Sequence, residues 1–503
     1  MIRLVIAAAC IGSILATGAD AFDLRYGTKG LPISYGNPFM ANGSPSNYTW
    51  AAMFDGLTQM DADGRLGPAL AVSWEVVNPT TWRFRLRPGV KFSNGESFTA
   101  DAVVAAVSWL KTPEGLRSVI GGEIRDVTGA VRESEHSVLI MTARPDAILP
   151  RRLSAVSIVA PEAWARLGPE GFSRAPATTG SFMISEWSGN TGRVTLQAFK
   201  GSWRPPKASR LIIINMPDNP ARVQALMSGQ IDIAGNIGVD DLEAIEAAGG
   251  VVVQTPAWSV QSLAFKLEPR RNSPLNDLRV RRALNLAVDR AAIVEGLFRG
   301  RMSPAGQPAA RGTMGHDPDI APYPFDRPQA KALMIEAGYP NGFDLKLEVM
   351  VDRTPGDAAV FQTVADQLAE IGVKVELRQI TFATWLSQYL TGTWAAETDG
   401  FVLGWNAAPY NDVQRPMEVY SCLKPNPFYC NREITDNLIA AGEEMDLTKR
   451  ESLLKALGRA YRDDVPSIFL TETFDLFGVS ARVQGLEIRN RVPAYQDISL
   501  APR

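Results

Sequence analysis

The sequence is poor in the residues that build metal centres and cross-linked scaffolds. Its 503 residues include two histidines, His136 and His316, and three cysteines. Two histidines exclude a metal site made of several histidines unless other ligand types take part. Three cysteines exclude a disulfide-dense scaffold, an iron–sulfur array and a cysteine-based zinc ribbon. We therefore expect neither a bound metal nor a cofactor.

An excess of charge of one sign is also missing. The chain has 51 basic and 54 acidic residues, which gives a formal net charge of -3. Phosphate binding needs a basic face, so this balance argues against nucleic acid as the main partner. Hydrophobic residues make up 46% and charged residues 21%, as in an ordinary folded soluble protein. At about 100–200 residues per domain, the length predicts two to four domains.

The common catalytic signatures are absent from the sequence. It contains no G-x-S-x-G, no H-E-x-x-H, no P-loop and no G-x-G-x-x-G segment. A secreted hydrolase would need a nucleophile or a metal, and the sequence has a signature for neither. Binding is therefore favoured over catalysis, and we expect a protein that is not an enzyme.

The N-terminus predicts export. Residues 1–3 form a short basic start, residues 4–16 are nearly all apolar, and Ala19 and Ala21 are small residues at the two positions that a signal peptidase reads. This is the layout of a secretory signal cut after Ala21, which predicts a periplasmic protein. A buried first strand or a membrane anchor is the alternative, but the run is too short for a spanning helix. Cys10 is a weaker candidate for lipid attachment, because no Leu or Val stands three residues before it.

Two cysteines remain after the signal is removed. Cys422 and Cys430 lie eight positions apart, and Pro425 and Pro427 between them favour a bent loop. In an oxidising compartment this arrangement predicts a disulfide, with two buried free thiols as the alternative.

The residue pattern alternates between strands and helices. Residues 345–351 and 373–378 alternate apolar and polar side chains, as a half-buried strand does. Residues 358–371 between them carry Val360, Val364 and Leu368 four apart, on one face of a helix. A strand–helix–strand unit of this kind builds a parallel sheet, so the sequence predicts an α/β fold.

Several long segments, spaced along the chain in a fixed order, carry a resemblance to a known family. They include GPALAVSW at 67–74, WRFRLRPGVKFSNGESFTAD at 82–101, ALMSGQIDIA at 225–234, DLRVRRALNLAVDR at 277–290, YPFD at 323–326 and AKALMIEAGYPNGF at 330–343. Together these segments resemble the bacterial extracellular solute-binding proteins of family 5. That family comprises the cluster C receptors of ABC importers, which bind peptides, glutathione, opines or nickel complexes.

The resemblance implies a two-lobed periplasmic binding protein fold (type II, cluster C) with an extra subdomain in the first lobe. The first lobe would span residues 22–264, with the subdomain at about 60–180. The second lobe would span residues 265–473, and residues 474–503 would return to the first lobe. The crossing segments would lie near residues 262–266 and 474–478.

The resemblance also implies a function. The two hinged lobes would close on a solute and deliver it to the permease subunits in the inner membrane, without chemistry. We expect a monomer, as in most of these receptors. A peptide or peptide-like solute is the main expectation, and an opine, a sugar-phosphate conjugate or a nickel–chelator complex is the alternative.

One residue of the family's peptide site is kept and another is missing. In dipeptide-binding relatives, an arginine just after the strand equivalent to residues 345–351 binds the ligand carboxylate, and Arg353 holds that position. These relatives also have an aspartate three residues after a Gly-Trp pair, which binds the peptide ammonium. Here Gly404-Trp405 is followed by Ala408, and Asp412 lies farther along. A solute with an anionic group and no free α-amine nearby therefore fits better.

Further candidates come from two loops that line the pocket in this family. They are Trp405, Asn406, Tyr410 and Arg415 after the Gly-Trp pair, and Met40 and Ser44 in the N-terminal loop. Trp405 either stacks on the solute or lies under the cleft floor, and Met40 either lines the pocket or only packs.

Overall fold

The structure is a computed structural model, and it describes residues 22–188, 192–267, 273–351 and 356–502. The predicted signal segment with Cys10, and the candidate Arg353, lie outside the described residues.

Twelve strands and eight helices make up the part of the described chain that ends at residue 265. The strands are β1 (Asp23–Thr28), β2 (Thr58–Met60), β3 (Leu66–Pro68), β4 (Ala71–Asn78), β5 (Thr81–Leu86), β6 (Val127–Ser134), β7 (Ser137–Thr142), β8 (Phe182–Ser188), β9 (Arg193–Ala198), β10 (Arg210–Asn215), β11 (Ile233–Gly235) and β12 (Val251–Phe265). The helices are α1 (Ser46–Met53), α2 (Ala100–Leu110), α3 (Pro113–Arg117), α4 (Val119–Glu123), α5 (Leu149–Arg152), α6 (Pro161–Arg174), α7 (Asn219–Met227) and α8 (Leu242–Ala247).

The described chain after residue 272 contains ten strands and eight helices. The strands are β13 (Ser303–Pro304), β14 (Asp344–Val349), β15 (Lys374–Gln379), β16 (Gly400–Val402), β17 (Trp405–Asn406), β18 (Ser467–Val479), β19 (Val483–Gln484), β20 (Ile488–Arg489), β21 (Val492–Pro493) and β22 (Ser499–Leu500). The helices are α9 (Leu278–Leu286), α10 (Arg290–Phe298), α11 (Arg327–Glu336), α12 (Asp357–Ala369), α13 (Phe382–Thr391), α14 (Gln414–Val419), α15 (Arg432–Glu443) and α16 (Leu447–Asp464).

The predicted strand–helix–strand unit is confirmed. It consists of β14, α12 and β15, and the two strands pair in parallel. Val360, Val364 and Leu368 are all buried, so the face that the spacing predicts is the one packed on the sheet. The parallel pairing requires a crossover, which α12 supplies.

A single large sheet runs through the molecule. Its strand order is β15-β14-β16-β12-β18-β11-β1-β10-β9-β8. The two longest strands, β12 and β18, pair antiparallel along most of their length, but the register shifts between Pro256 and Val260. At one end β18 pairs with β11, and at the other end β12 pairs with β16. These two strands therefore connect the two halves of the sheet.

We call residues 22–250 and 480–502 the first lobe, and the described residues between 273 and 466 the second lobe. The first lobe contains a separate antiparallel sheet of order β4-β5-β7-β6. Side chains of this small sheet and of the first-lobe part of the large sheet belong to one hydrophobic cluster, which includes Phe84, Ile140, Leu211 and Ile213. The additional sheet is therefore part of the first lobe, within the predicted range of 60–180.

The predicted disulfide is confirmed, because Cys422 and Cys430 are bonded to each other. The bond closes a loop directly before α15, where the side chain of Asn431 accepts a hydrogen bond from the backbone N–H of Ile434. The backbone N–H of Cys422 also donates to Oγ1 of Thr435 on this helix. The loop is thus fixed to the second lobe at both ends.

The helices of the described ranges include none with the length and apolar character needed to cross a bilayer. The same ranges contain no group of three or more His, Cys, Asp or Glu side chains placed to hold a metal ion.

Candidate functional site

The two lobes meet at the loop that follows β17. The side-chain amide of Asn411 donates hydrogen bonds to the carbonyl of Gly64 in the first lobe, at 3.1 Å, and to that of Gly312 in the second, at 3.0 Å. The carbonyl of Tyr410 accepts from Arg151 at 2.9 Å, and the carbonyl of Pro409 accepts from Ser154 at 3.3 Å. We call residues 407–413 the contact loop. It presents second-lobe backbone and side chains to the first lobe.

Trp405 lies beneath the contact loop. Its side chain is fully buried, its ring stacks on Tyr420 with centroids 3.7 Å apart, and its indole N–H donates to Oγ of Ser467 at 3.2 Å. All of these partners belong to the second lobe or to β18, so Trp405 forms the floor under the loop. Its contact with a solute stays a prediction.

Tyr410 and Arg415 face the first lobe, where both contact Glu123. The Tyr410 hydroxyl donates to Oε2 of Glu123 at 2.5 Å, and Arg415 donates to Oε1 from Nε at 3.1 Å and from Nη2 at 2.5 Å. Burial by itself would raise the pKa of Glu123, but Arg415 and Tyr410 lower it below its ordinary value. Both candidates are therefore engaged by a carboxylate of the protein itself.

Asp412 does not replace the acid that is missing at Ala408. Its carboxylate binds Arg450 with two hydrogen bonds of 2.7 and 3.0 Å, and both side chains are almost completely buried. A carboxylate held in this way is not available to a solute amine. The one carboxylate of the contact loop is thus engaged within the second lobe.

The remaining candidates lie on both sides of the loop. Asn406 accepts from the N–H of Ala408 with its side chain and from Arg415 with its carbonyl, so it shapes the start of the loop. Met40 is 45% exposed, and Ser44 is half-buried beside Tyr48 in the first lobe. Met40 is thus free to contact a ligand, whereas Asn406 is occupied by its own loop.

A polar cavity of about 170 Å³ opens in the first lobe next to these contacts. Its wall includes Asn42 of the N-terminal loop and Ser154, the same residue that donates to the contact loop. The Nδ2 atom of Asn42 is buried and has no hydrogen-bond partner among the described residues. A buried donor without a partner is costly, which suits a place where a ligand or water supplies the acceptor. The sequence held no signal for either residue.

Three aromatic rings form a stack on α13. Phe382 and Tyr389 lie on either side of Trp385, with centroids 6.1 and 5.1 Å from it. The helix has no fully buried residue, and Trp385 is fixed by donating to the carbonyl of Val402 at 2.9 Å. Tyr389 lies near enough to Arg415 to help raise its pKa, although burial works in the opposite direction. Of the three rings, Phe382 is the exposed one, at 41%.

Comparisons with known proteins identify what this architecture is similar to. The family model described as bacterial extracellular solute-binding proteins, family 5 Middle, matches residues 65–426. The glutathione-binding protein GsiB of Pectobacterium atrosepticum is 26% identical over 456 residues, which cover 86% of this chain and 85% of GsiB.

Two solved structures show the same fold. A dipeptide binding protein from Pseudoalteromonas sp. SM9913 in complex with Met-Leu has a TM-score of 0.83 at 20% identity, over 95% of this chain and 100% of that chain. MoaA from A. tumefaciens R10 in complex with mannopinic acid has a TM-score of 0.82 at 22% identity, over 96% and 100%. The predicted two-lobed α/β fold with an additional subdomain is confirmed.

Proposed function

Because this chain belongs to family 5 of the bacterial extracellular solute-binding proteins, we propose that it is the receptor of an ABC importer and captures a peptide or peptide-like solute between its lobes. The observation that carries the proposal is the pair of long strands, β12 and β18, that connect the lobes. The predicted lobe boundaries, 264/265 and 473/474, both fall within these strands. Two connecting strands with a register shift between Pro256 and Val260 make a hinge about which the lobes can rotate.

Closure of the cleft follows from differential binding. A solute held between the lobes contacts both of them only when the cleft is shut, so its binding energy favours the closed state. A shift from about 1% to 99% closed requires a preference of about 5.5 kcal/mol for the closed state. The closed receptor then docks on the permease, and the solute passes on unaltered. No step needs a nucleophile, a metal or a cofactor.

We infer that the protein recognises an anionic group of the solute. A guanidinium binds a carboxylate or a phosphate through two parallel hydrogen bonds, and Arg353 holds the family's carboxylate-binding position. The amine side of the site is different, because Ala408 has no charge and Asp412 is held by Arg450. A peptide with a free carboxylate and a blocked or distant amine fits both ends of this site.

An opine is the second candidate. MoaA, which has a similar fold, was solved with mannopinic acid, and this supports an opine as the alternative solute. The missing acid at position 408 favours that class over an ordinary dipeptide. An exported receptor also fits the predicted leader at residues 1–21, which would place the mature chain in the periplasm.

We expect Arg353→Ala to weaken solute binding at least tenfold, about 1.4 kcal/mol, because the carboxylate loses both of its hydrogen bonds. Isothermal titration calorimetry with a peptide panel measures this change. The matched control is Arg378→Ala, which removes a second-lobe arginine whose partner is the exposed Glu397. That control should leave the Kd unchanged, as surface ion pairs contribute little.

The same panel tests the class of solute. Each peptide is titrated as the free acid, as the C-terminal amide and with its amine acetylated. The amide should bind at least tenfold more weakly than the free acid, while acetylation should change the Kd less than threefold. Binding that depends on the free amine and not on the carboxylate would place the determinants elsewhere than Arg353 and Ala408.

A further inference from the structure

Two close ion pairs cross between the lobes beside the contact loop, and Arg125 of the first lobe adds a longer contact of 3.9 Å to Glu418 of the second. Glu123 of the first lobe binds Arg415 of the second, at 2.5 Å. Arg152 of the first lobe binds Glu418 of the second, at 2.6 Å. Each lobe contributes one acid and one base to these two close pairs, which run in opposite directions.

Tyr410 lies at the centre of this arrangement. Its hydroxyl donates to Glu123, and its ring lies 5.7 Å from the guanidinium carbons of both Arg152 and Arg415. The four charged side chains keep between 6% and 14% of their surface exposed. Asp146 holds Arg152 in place with a hydrogen bond of 3.0 Å from its Nε, and Gln414 donates to Glu418 at 2.9 Å. Each group of the cluster thus has a partner.

The acidic and basic side chains of the cluster are paired with each other only when the two lobes are in contact. Burying an unpaired charge is strongly unfavourable, whereas a pair with good geometry and additional hydrogen bonds offsets much of that cost. A rotation of one lobe that brought Glu123 against Glu418 would place like charges together. Complementarity of this kind fixes one orientation of closure and disfavours others.

We propose that Glu123, Arg152, Tyr410, Arg415 and Glu418 form a latch that holds the two lobes together before any solute binds. Tyr410 and Arg415, which the sequence assigns to the solute, act instead on the lobe–lobe contact. The proposal rests on the hinged motion of the proposed function, but it needs no solute.

The latch determines affinity from a distance. When only the closed state is competent, the apparent Kd equals the intrinsic Kd divided by the closed fraction. Residues that never touch the solute therefore set how tightly it binds. A latch that closes the empty cleft in a fraction of the molecules reduces the part of the binding free energy that is needed for closure, and so lowers the apparent Kd.

The test measures the distance between dyes on the two lobes of solute-free protein by single-molecule fluorescence transfer. The labels are placed at Glu114→Cys and Lys449→Cys, both exposed positions, one on each lobe. Wild type should show a short-distance population. Glu123→Gln or Arg415→Gln should raise the ratio of open to closed molecules at least tenfold, because each leaves one buried charge unpaired in the closed state.

The double variant Glu123→Gln/Arg415→Gln distinguishes the loss of a coupled ion pair from independent destabilisation by each substitution. With both charges removed, no unpaired charge is buried, so the closed fraction should recover beyond that of either single variant. The matched control is Glu133→Gln, which breaks the exposed pair of Glu133 and Arg83 in the same lobe and should leave the distances unchanged.

Two results would overturn the latch. Distances in solute-free wild type that equal those of Glu123→Gln would show that the pairs do not close the cleft. Additive effects of the two single variants would exclude coupling between them. If wild type binds solute tightly and either of these results is found, only the latch is refuted. If solute causes no change in the distance between the dyes, the hinge itself is refuted.

Discussion

Gly64→Ala should weaken solute binding at least tenfold, about 1.4 kcal/mol, while the protein stays folded. Gly64 lies in the turn between β2 and β3, and its carbonyl accepts the hydrogen bond from Asn411 across the lobe contact. The Cβ of an alanine there would overlap Nδ2 of Asn411 and lie 3.0 Å from Cζ2 of Trp258. The clash arises only where the lobes meet, so it should act on closure and not on the fold of either lobe.

Gly89→Ala is the control for this prediction. Gly64 and Gly89 have φ values of +73° and +74°, but a Cβ at Gly89 meets no atom within 4 Å. Both variants carry the same backbone strain, of about 1 kcal/mol, and only Gly64→Ala adds the clash. Calorimetry gives the two Kd values, and circular dichroism checks the fold. Equal affinities for the two variants would mean that closure does not bring Gly64 against Asn411.

Arg450→Met should lower the free energy of unfolding of the second lobe by about 3–5 kcal/mol. The side chains of Arg450 and Asp412 are 1% and 0% exposed, and Gln414 also accepts from Arg450 at 2.7 Å. Burial would raise the pKa of Asp412, but Arg450 opposes it, so the pKa lies below its ordinary value. Without Arg450 the carboxylate is buried unpaired, and the contact loop loses its anchor to α16.

Urea unfolding, followed by tryptophan fluorescence, measures this loss as a shift of the midpoint. The double variant Asp412→Asn/Arg450→Met should be more stable than Arg450→Met, since no charge is then buried alone. Lys455→Met, which breaks an exposed pair with Glu451 on the same helix, should change stability by less than about 1 kcal/mol. An Arg450→Met midpoint equal to that of Lys455→Met would show that the buried pair contributes nothing.

Local features of the fold were predictable from the sequence. The spacing of Val360, Val364 and Leu368 identifies the buried face of α12. Asp277 and Asp289 stand directly before α9 and α10 and cap these helices. These features depend on residues a few positions apart, which a single sequence displays directly. The pairing of Cys422 with Cys430 was predictable for the same reason.

The lobe contact was not predictable, because its partners lie far apart in the chain. Arg415 and Glu123 are separated by 292 positions, and neither has a neighbour in sequence that marks it. A single sequence therefore shows Tyr410 and Arg415 only as polar residues in a loop near the expected solute. The burial of Trp405 depends on Tyr420 and Ser467, which the Gly-Trp motif does not indicate.

We propose that this protein binds one small solute between its lobes and releases it unchanged. Native mass spectrometry of the protein, incubated with an equimolar mixture of short peptides and opines, tests it most directly. We expect one retained solute in a one-to-one complex, and the same mass for that solute after the protein is denatured. A released solute of altered mass, or no retained solute from the whole mixture, would contradict it.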